Sequence, residues 1–101
     1  MNPRQLQQMA QQMQRQMQKV QEELAVATVE GSAGGGAINV TMNGHRELQA
    51  IVIAPEVVDP TDVEMLQDLL MVAINDATKK AQALAEQKMG PLTGGMKGLP
   101  F

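Results

Sequence analysis

Few side chains in this chain could do chemistry: eight Lys and Arg, eleven Asp and Glu, one His and no Cys. Without Cys there is no disulfide scaffold, no thiol catalysis and no Cys-based zinc site. His45 by itself cannot make a His-rich metal site, and a position at a hairpin tip suits a solvated side chain. The glycines at 34–36 are not followed by the Gly-Lys-Ser/Thr of a phosphate loop and make no GxGxxG fingerprint, so they read as a structural turn. Asp59, Asp62 and Glu64 fit the chemistry of a helix start, where the dipole favours acids, and lack the alternation of a calcium loop. No serine is placed with a His and an Asp to argue for a triad. The expectation is no catalytic residue, no metal, no cofactor and no small-molecule substrate.

The basic residues carry the remaining possibility. The only aromatic residue is Phe101, so the chain offers no platform for stacking single-stranded bases. Contact with duplex phosphates needs no such platform. The net charge is −3, but it is unevenly spread. Residues 1–24 carry Arg4, Arg15 and Lys19 against Glu22 and Glu23, whereas residues 25–59 and 60–89 are both net acidic. At 100° per residue Arg4, Arg15 and Lys19 share one helical stripe, flanked by Gln8, Gln11 and Gln12. Glutamine bonds to phosphate or a base edge without adding charge. Glu22 falls on the same stripe and weakens its field. A solvated helix face explains these residues too; a symmetric dimer would double the stripe, and duplex DNA is held chiefly through phosphate neutralisation.

Several elements must position that stripe. Residues 1–27 read as one helix, with Asn2 as N-cap, Pro3 at the first position and Gln5 as the capping-box partner. Leu6, Met9, Met13, Met17, Val20 and Leu24 recur every three or four residues on the face opposite the cations. A helix this long outreaches a compact domain of about 100 residues, so the stripe is expected to form a dimer or core seam. An adaptable Met-rich binding surface is the other reading.

From Thr28 the period changes to two. Thr28–Ser32, Ile38–Met42 and Leu48–Ala54 read as three antiparallel strands, with Asn43-Gly44 as a hairpin turn. The third strand is apolar on both faces. Asp59 and Pro60 are expected to cap and open a second helix that runs to about Met89 and stops at Gly90-Pro91. Its apolar face holds Val63, Leu66, Leu70, Ala73, Ile74, Ala77, Ala81 and Leu84. Residues 1–89 thus read as one α+β domain, α-β-β-β-α and dimeric, with 90–101 as a flexible Gly/Pro-rich tail. No apolar run reaches membrane-spanning length and the N-terminus has no signal-peptide core, so a soluble intracellular protein with no membrane partner is expected.

The pattern resembles the YbaB/EbfC family of bacterial nucleoid-associated proteins over nearly the full chain. The matching stretches are QMQKVQEELA (16–25), VEGSAGGG (29–36), VTMNGHRELQAIVI (40–53), LQDLLMVAINDATKKAQ (66–82) and LTGGM (92–96). The resemblance implies a cytoplasmic, nucleoid-associated homodimer that binds double-stranded DNA and alters its conformation, with an influence on gene expression. It also implies a dimer joined through the sheet region, helices projecting as a tweezer-like pair, and no enzymatic activity or cofactor. The matching basic positions imply DNA contacts at Arg15 and Lys19, then Arg4, Lys79 and Lys80. Glutamine stands in the first helix where relatives often carry lysine. The alternative is a structural or adaptor module that binds partner proteins through its helices.

Overall fold

A computed structural model describes residues 2–93. The order is α1 (Pro3–Val26), β1 (Thr28–Ala33), β2 (Ile38–Asn43), β3 (Leu48–Ile53) and α2 (Val63–Thr93), with short 3₁₀ turns at Gly34–Gly36 and Pro55–Val57. The expected α-β-β-β-α architecture is present. The sheet order is β1-β2-β3, antiparallel throughout. The molecule measures 70 × 28 × 16 Å with a radius of gyration of 19.4 Å. A compact domain of 100 residues would have about 13 Å, so the elongation comes from helices that leave the core.

The core lies between one sheet face and the middle of α2. Ile38, Val40 and Met42 point inward from β2, as their alternation requires, and meet Ala73, Ala77 and Ala81. Small residues on α2 let the helix lie close to β1. A Cβ on Gly31 would collide with the Ala73 carbonyl and stand 2.5 Å from the Ala77 backbone nitrogen. Gly31 is therefore required by the approach of two backbones. The three turn glycines have φ of 64°, 67° and 98°, the left-handed region that suits glycine.

The β2–β3 connection positions α1. Gly44 N–H donates to the carbonyls of Leu24 (2.8 Å) and Ala27 (3.1 Å), and Asn43 Nδ2 donates to the Ala25 carbonyl (3.2 Å). These bonds satisfy carbonyls that the end of a helix leaves without intrahelical partners. Buried Asn43 also donates to Glu47 Oε1, and its Oδ1 accepts from the N–H groups of His45 and Glu47, both at 3.0 Å. The left-handed residue of this turn is Arg46 at φ 65°, and Gly44 is needed because a Cβ there would strike Leu24.

Two expectations need correction. Helix α2 does not open at Asp59-Pro60. The Asp59 carboxylate instead accepts from the N–H and Oγ1 of Thr61, closing a turn, and Asp62 caps the helix by accepting from Met65 N–H at 3.2 Å. Nor does α2 stop at Gly90-Pro91; it continues to Thr93. Pro91 lies in the last turn and forfeits one backbone bond, to Gln87, without breaking the turns before it. The Met stripe of α1 is covered within one protomer only toward its C-terminal end. Leu24 is buried and Val20 and Met17 half-buried, but Leu6, Met9 and Met13 are 54%, 55% and 57% exposed. Residues 90–93 are thus helix, and the rest of the expected tail, 94–101, lies outside the described residues.

Candidate nucleic-acid interface

Helix α1 starts as its first residues dictate. Asn2 accepts from Gln5 N–H at 2.8 Å, with Pro3 at the first helical position. Its 24 residues span about 36 Å. Only its last turns meet the rest of the molecule, through the hairpin and α2, so the N-terminal half projects with every described residue from Asn2 to Gln16 exposed. Between Asn2 and Gln21 there is no acid. Arg4, Arg15 and Lys19 are exposed there, and none enters either of the two ion pairs among the described residues. Unpaired cations on a projecting helix remain available to an external anion, and Arg15 and Lys19 are one turn apart.

Lys79 and Lys80 are set differently. Both lie on α2 beside β1, and Lys80 is engaged: its ammonium is 3.2 Å from Asp76 Oδ2 and donates to the Glu30 carbonyl at 2.9 Å. Asp76 in turn accepts from Ser32 N–H at 3.1 Å. The pair thereby occupies backbone groups along the outer edge of β1, a recognised way to keep a sheet edge from pairing. The Ser32 N–H, and then Lys80, hold the Asp76 carboxyl below its ordinary range. Lys79 is exposed but also faces Asp76, with which it lines a shallow groove. The structure thus groups Arg4, Arg15 and Lys19 on α1 and keeps Lys79 and Lys80 apart from them on α2.

The Asp76 arrangement carries a pH prediction. A carboxyl whose folded pKa is depressed contributes stability that is present above its unfolded value, about 4, and is lost as pH falls through the folded one. The gap in thermal midpoint between the native chain and Asp76→Asn should therefore be full at pH 6 and narrow progressively as pH falls below about 4. A gap that does not narrow at all on acidification from pH 6 would rule out the carboxylate as its source.

Two residues of the hairpin were not legible as neighbours of α1. His45, expected to be solvated, donates from Nε2 to the Gln21 carbonyl at 3.0 Å. Arg46 stands beside it in a groove of about 360 Å³ that includes Gln21, Gln82 and Glu86. Arg46 is an exposed cation near the base of α1, and only the path of the hairpin brings it there.

The sheet has one closed and one open side. Helix α2 covers β1 and β2 and leaves β3 bare. Leu48, Ile51 and Val52 are 43%, 43% and 62% exposed, and they occupy both faces of the strand. No helix among the described residues is long and apolar enough to cross a membrane.

The described residues thus form an α-β-β-β-α core with an open sheet edge, from which α1 projects with its cations exposed and unpaired. The chain belongs to the YbaB/EbfC DNA-binding family, whose model matches residues 1–96. It is 79% identical over 99 residues to a nucleoid-associated protein of Chloroflexus aurantiacus, covering 98% of this chain and 99% of that one. A nucleoid-associated protein of Roseiflexus castenholzii is 70% identical over 97 residues, with 96% of each chain covered. One of Streptomyces avermitilis is 50% identical, over 99% of this chain and 93% of its own. The crystal structure of an uncharacterized protein from Helicobacter pylori superposes with a TM-score of 0.75 at 28% identity, covering 97% of this chain and 99% of that one. The resemblance in the sequence is thus a family membership.

Proposed function

We infer that this protein is a nucleoid-associated homodimer that binds double-stranded DNA through the projecting halves of its two α1 helices and alters the path of the duplex. The observation that carries the reading is the acid-free stretch from Asn2 to Gln21, with Arg4, Arg15 and Lys19 exposed and unpaired. Phosphate neutralisation needs such charges held where a duplex can reach them. Two copies are needed because three cations on one helix make a weak site and six on two helices make a better one. The bare β3 supports that assembly. An exposed apolar edge strand invites a partner, and a small domain buries too little surface to tolerate it easily. Two helices engaging one duplex at separate places would constrain its course, which is how such a protein would influence DNA conformation and gene expression without a catalytic step. Function on DNA in this form places the protein in the cytoplasm, at the nucleoid.

Sedimentation at micromolar concentration, with and without a short duplex, tests both parts. The dimer reading expects about twice 10.9 kDa for the free protein and a faster-moving complex with duplex at low salt. A folded monomer would refute the dimer. A dimer that ignores duplex at low salt would refute DNA binding and favour an adaptor for partner proteins.

A further inference from the structure

Helix α1 is held at its root and exposed along its projecting half, so a few contacts set the direction of that half. The bonds from the β2–β3 turn reach the carbonyls of Leu24, Ala25 and Ala27, all within about one turn of helix. Contacts at one level fix where a rod ends but resist its tilt poorly. Two further contacts lie closer to the projecting half. His45 Nε2 donates to the Gln21 carbonyl at 3.0 Å, and Lys88 Nζ donates to Glu23 Oε2 at 3.4 Å. A carbonyl oxygen only accepts, so this ring nitrogen carries the proton. Residues two apart on a helix are separated by about 200°, so the hairpin grips α1 from one side and α2 from nearly the opposite one. A swing of α1 toward either must stretch the bond on the other. The His45 bond is the shorter, and the Lys88–Glu23 pair is partly exposed, a kind of pair that contributes little by itself.

We propose that His45 is a positioning residue: with Lys88 on the opposite side, it fixes the direction in which α1 leaves the sheet, and so where Arg4 and Arg15 stand. The turn that carries it is itself fixed, since Asn43 Oδ1 accepts from the His45 N–H at 3.0 Å. The lever arm is long. Arg15 lies about 9 Å and Arg4 about 26 Å along the helix from Gln21, so a swing of about 10° there moves them by about 1.6 Å and 4.5 Å. A hydrogen bond to an oxygen holds over roughly half an ångström of N···O distance, so such a swing would misplace both contacts. His45 need not touch the duplex to do this. Its consequence for duplex binding rests on the reading of α1 as the DNA-binding helix; its hold on α1 does not.

The absence of Cys from the chain supplies the test, because two introduced cysteines can be spin-labelled without interference. Gln7→Cys marks the projecting half of α1 and Asn75→Cys the middle of α2, both at exposed positions. Pulsed dipolar distances are read in the full chain diluted into unlabelled protein, so that only pairs within one protomer count. His45→Leu should widen the distance distribution by about 4 Å, the travel of Gln7 for a swing of about 10°. His45→Gln keeps an N–H donor at nearly the same reach and should restore the native width. At 50 mM salt His45→Leu should also lose about three- to tenfold in duplex affinity with the salt slope unchanged, because Arg15 and Lys19 are untouched, and His45→Gln should regain it. An unchanged width in His45→Leu, or an equal widening in His45→Gln, would overturn the proposal. A wider distribution with duplex affinity intact would deny His45 its part in binding. Native protein that ignores duplex would refute the DNA reading instead, and the distances would still decide whether His45 holds α1.

Discussion

Gly31→Ala should lower the thermal midpoint by roughly 12–24 °C, the largest loss from one added methyl anywhere in the fold. The added carbon would meet the Ala73 carbonyl, the Ala77 nitrogen at 2.5 Å and the Ala77 Cβ at 2.8 Å. Two of those atoms are backbone inside α2, so relief requires moving the helix off β1. That displacement would loosen Ala73, Ala77 and Ala81, which are wholly buried, and the cost is about 3 kcal/mol by comparison with overpacked cores. Gly35→Ala is the control. Nothing lies within 4 Å of its added carbon, and the strain is only that of a φ of 67°. It should cost about 1–2 kcal/mol. Equal midpoints for the two variants would mean that the β1–α2 contact does not limit stability.

Arg15→Glu together with Lys19→Glu should weaken duplex binding by more than about 100-fold at 50 mM salt, with the dimer intact. The two residues are exposed, lie on the face away from Leu6, Met9 and Met13, and bond to nothing in the fold, so their reversal leaves packing alone. Two protomers together would lose four cations and gain four anions. Lys79→Glu separates position from bulk charge, because Lys79 is equally exposed but belongs to α2 beside β1. A loss of equal size per charge in both variants would mean that only overall charge matters. A loss confined to Lys79→Glu would move the interface to α2.

Most of the architecture was legible because hydrophobic period and end signals agreed. Asn2-Pro3 set the start of α1, and the alternation of Ile38, Val40 and Met42 set the inward face of β2. The start of α2 was misplaced because Asp59 and Asp62 are both good caps. Choosing between them depends on whether Thr61 closes a turn on Asp59, a local competition that periodicity does not register. The Met stripe is continuous in sequence but divided in space, since its cover depends on how far α2 extends beside it. Lys80 looked like any exposed helical cation. Asp76 is its neighbour one turn back on the helix, but the Glu30 carbonyl that Lys80 bonds and the Ser32 N–H that Asp76 accepts come within reach only when α2 lies on β1, across as many as 50 residues of chain. Arg15 and Lys19 needed no such tertiary knowledge, because the half of α1 that carries Arg15 meets nothing else in the fold.

The central claim is that cations on two α1 helices neutralise duplex phosphates, and the salt dependence of duplex binding tests it most directly. If Arg15 and Lys19 of both protomers each contact a phosphate, log affinity should fall with log salt at a slope of about −3.6, or roughly 150-fold between 50 and 200 mM. The doubly reversed variant, which keeps only Arg4 on each helix, should show a slope no steeper than about −1.8 at whatever affinity remains. A native slope near zero, with duplex still bound, would contradict the account and leave the cationic face of α1 without its proposed role.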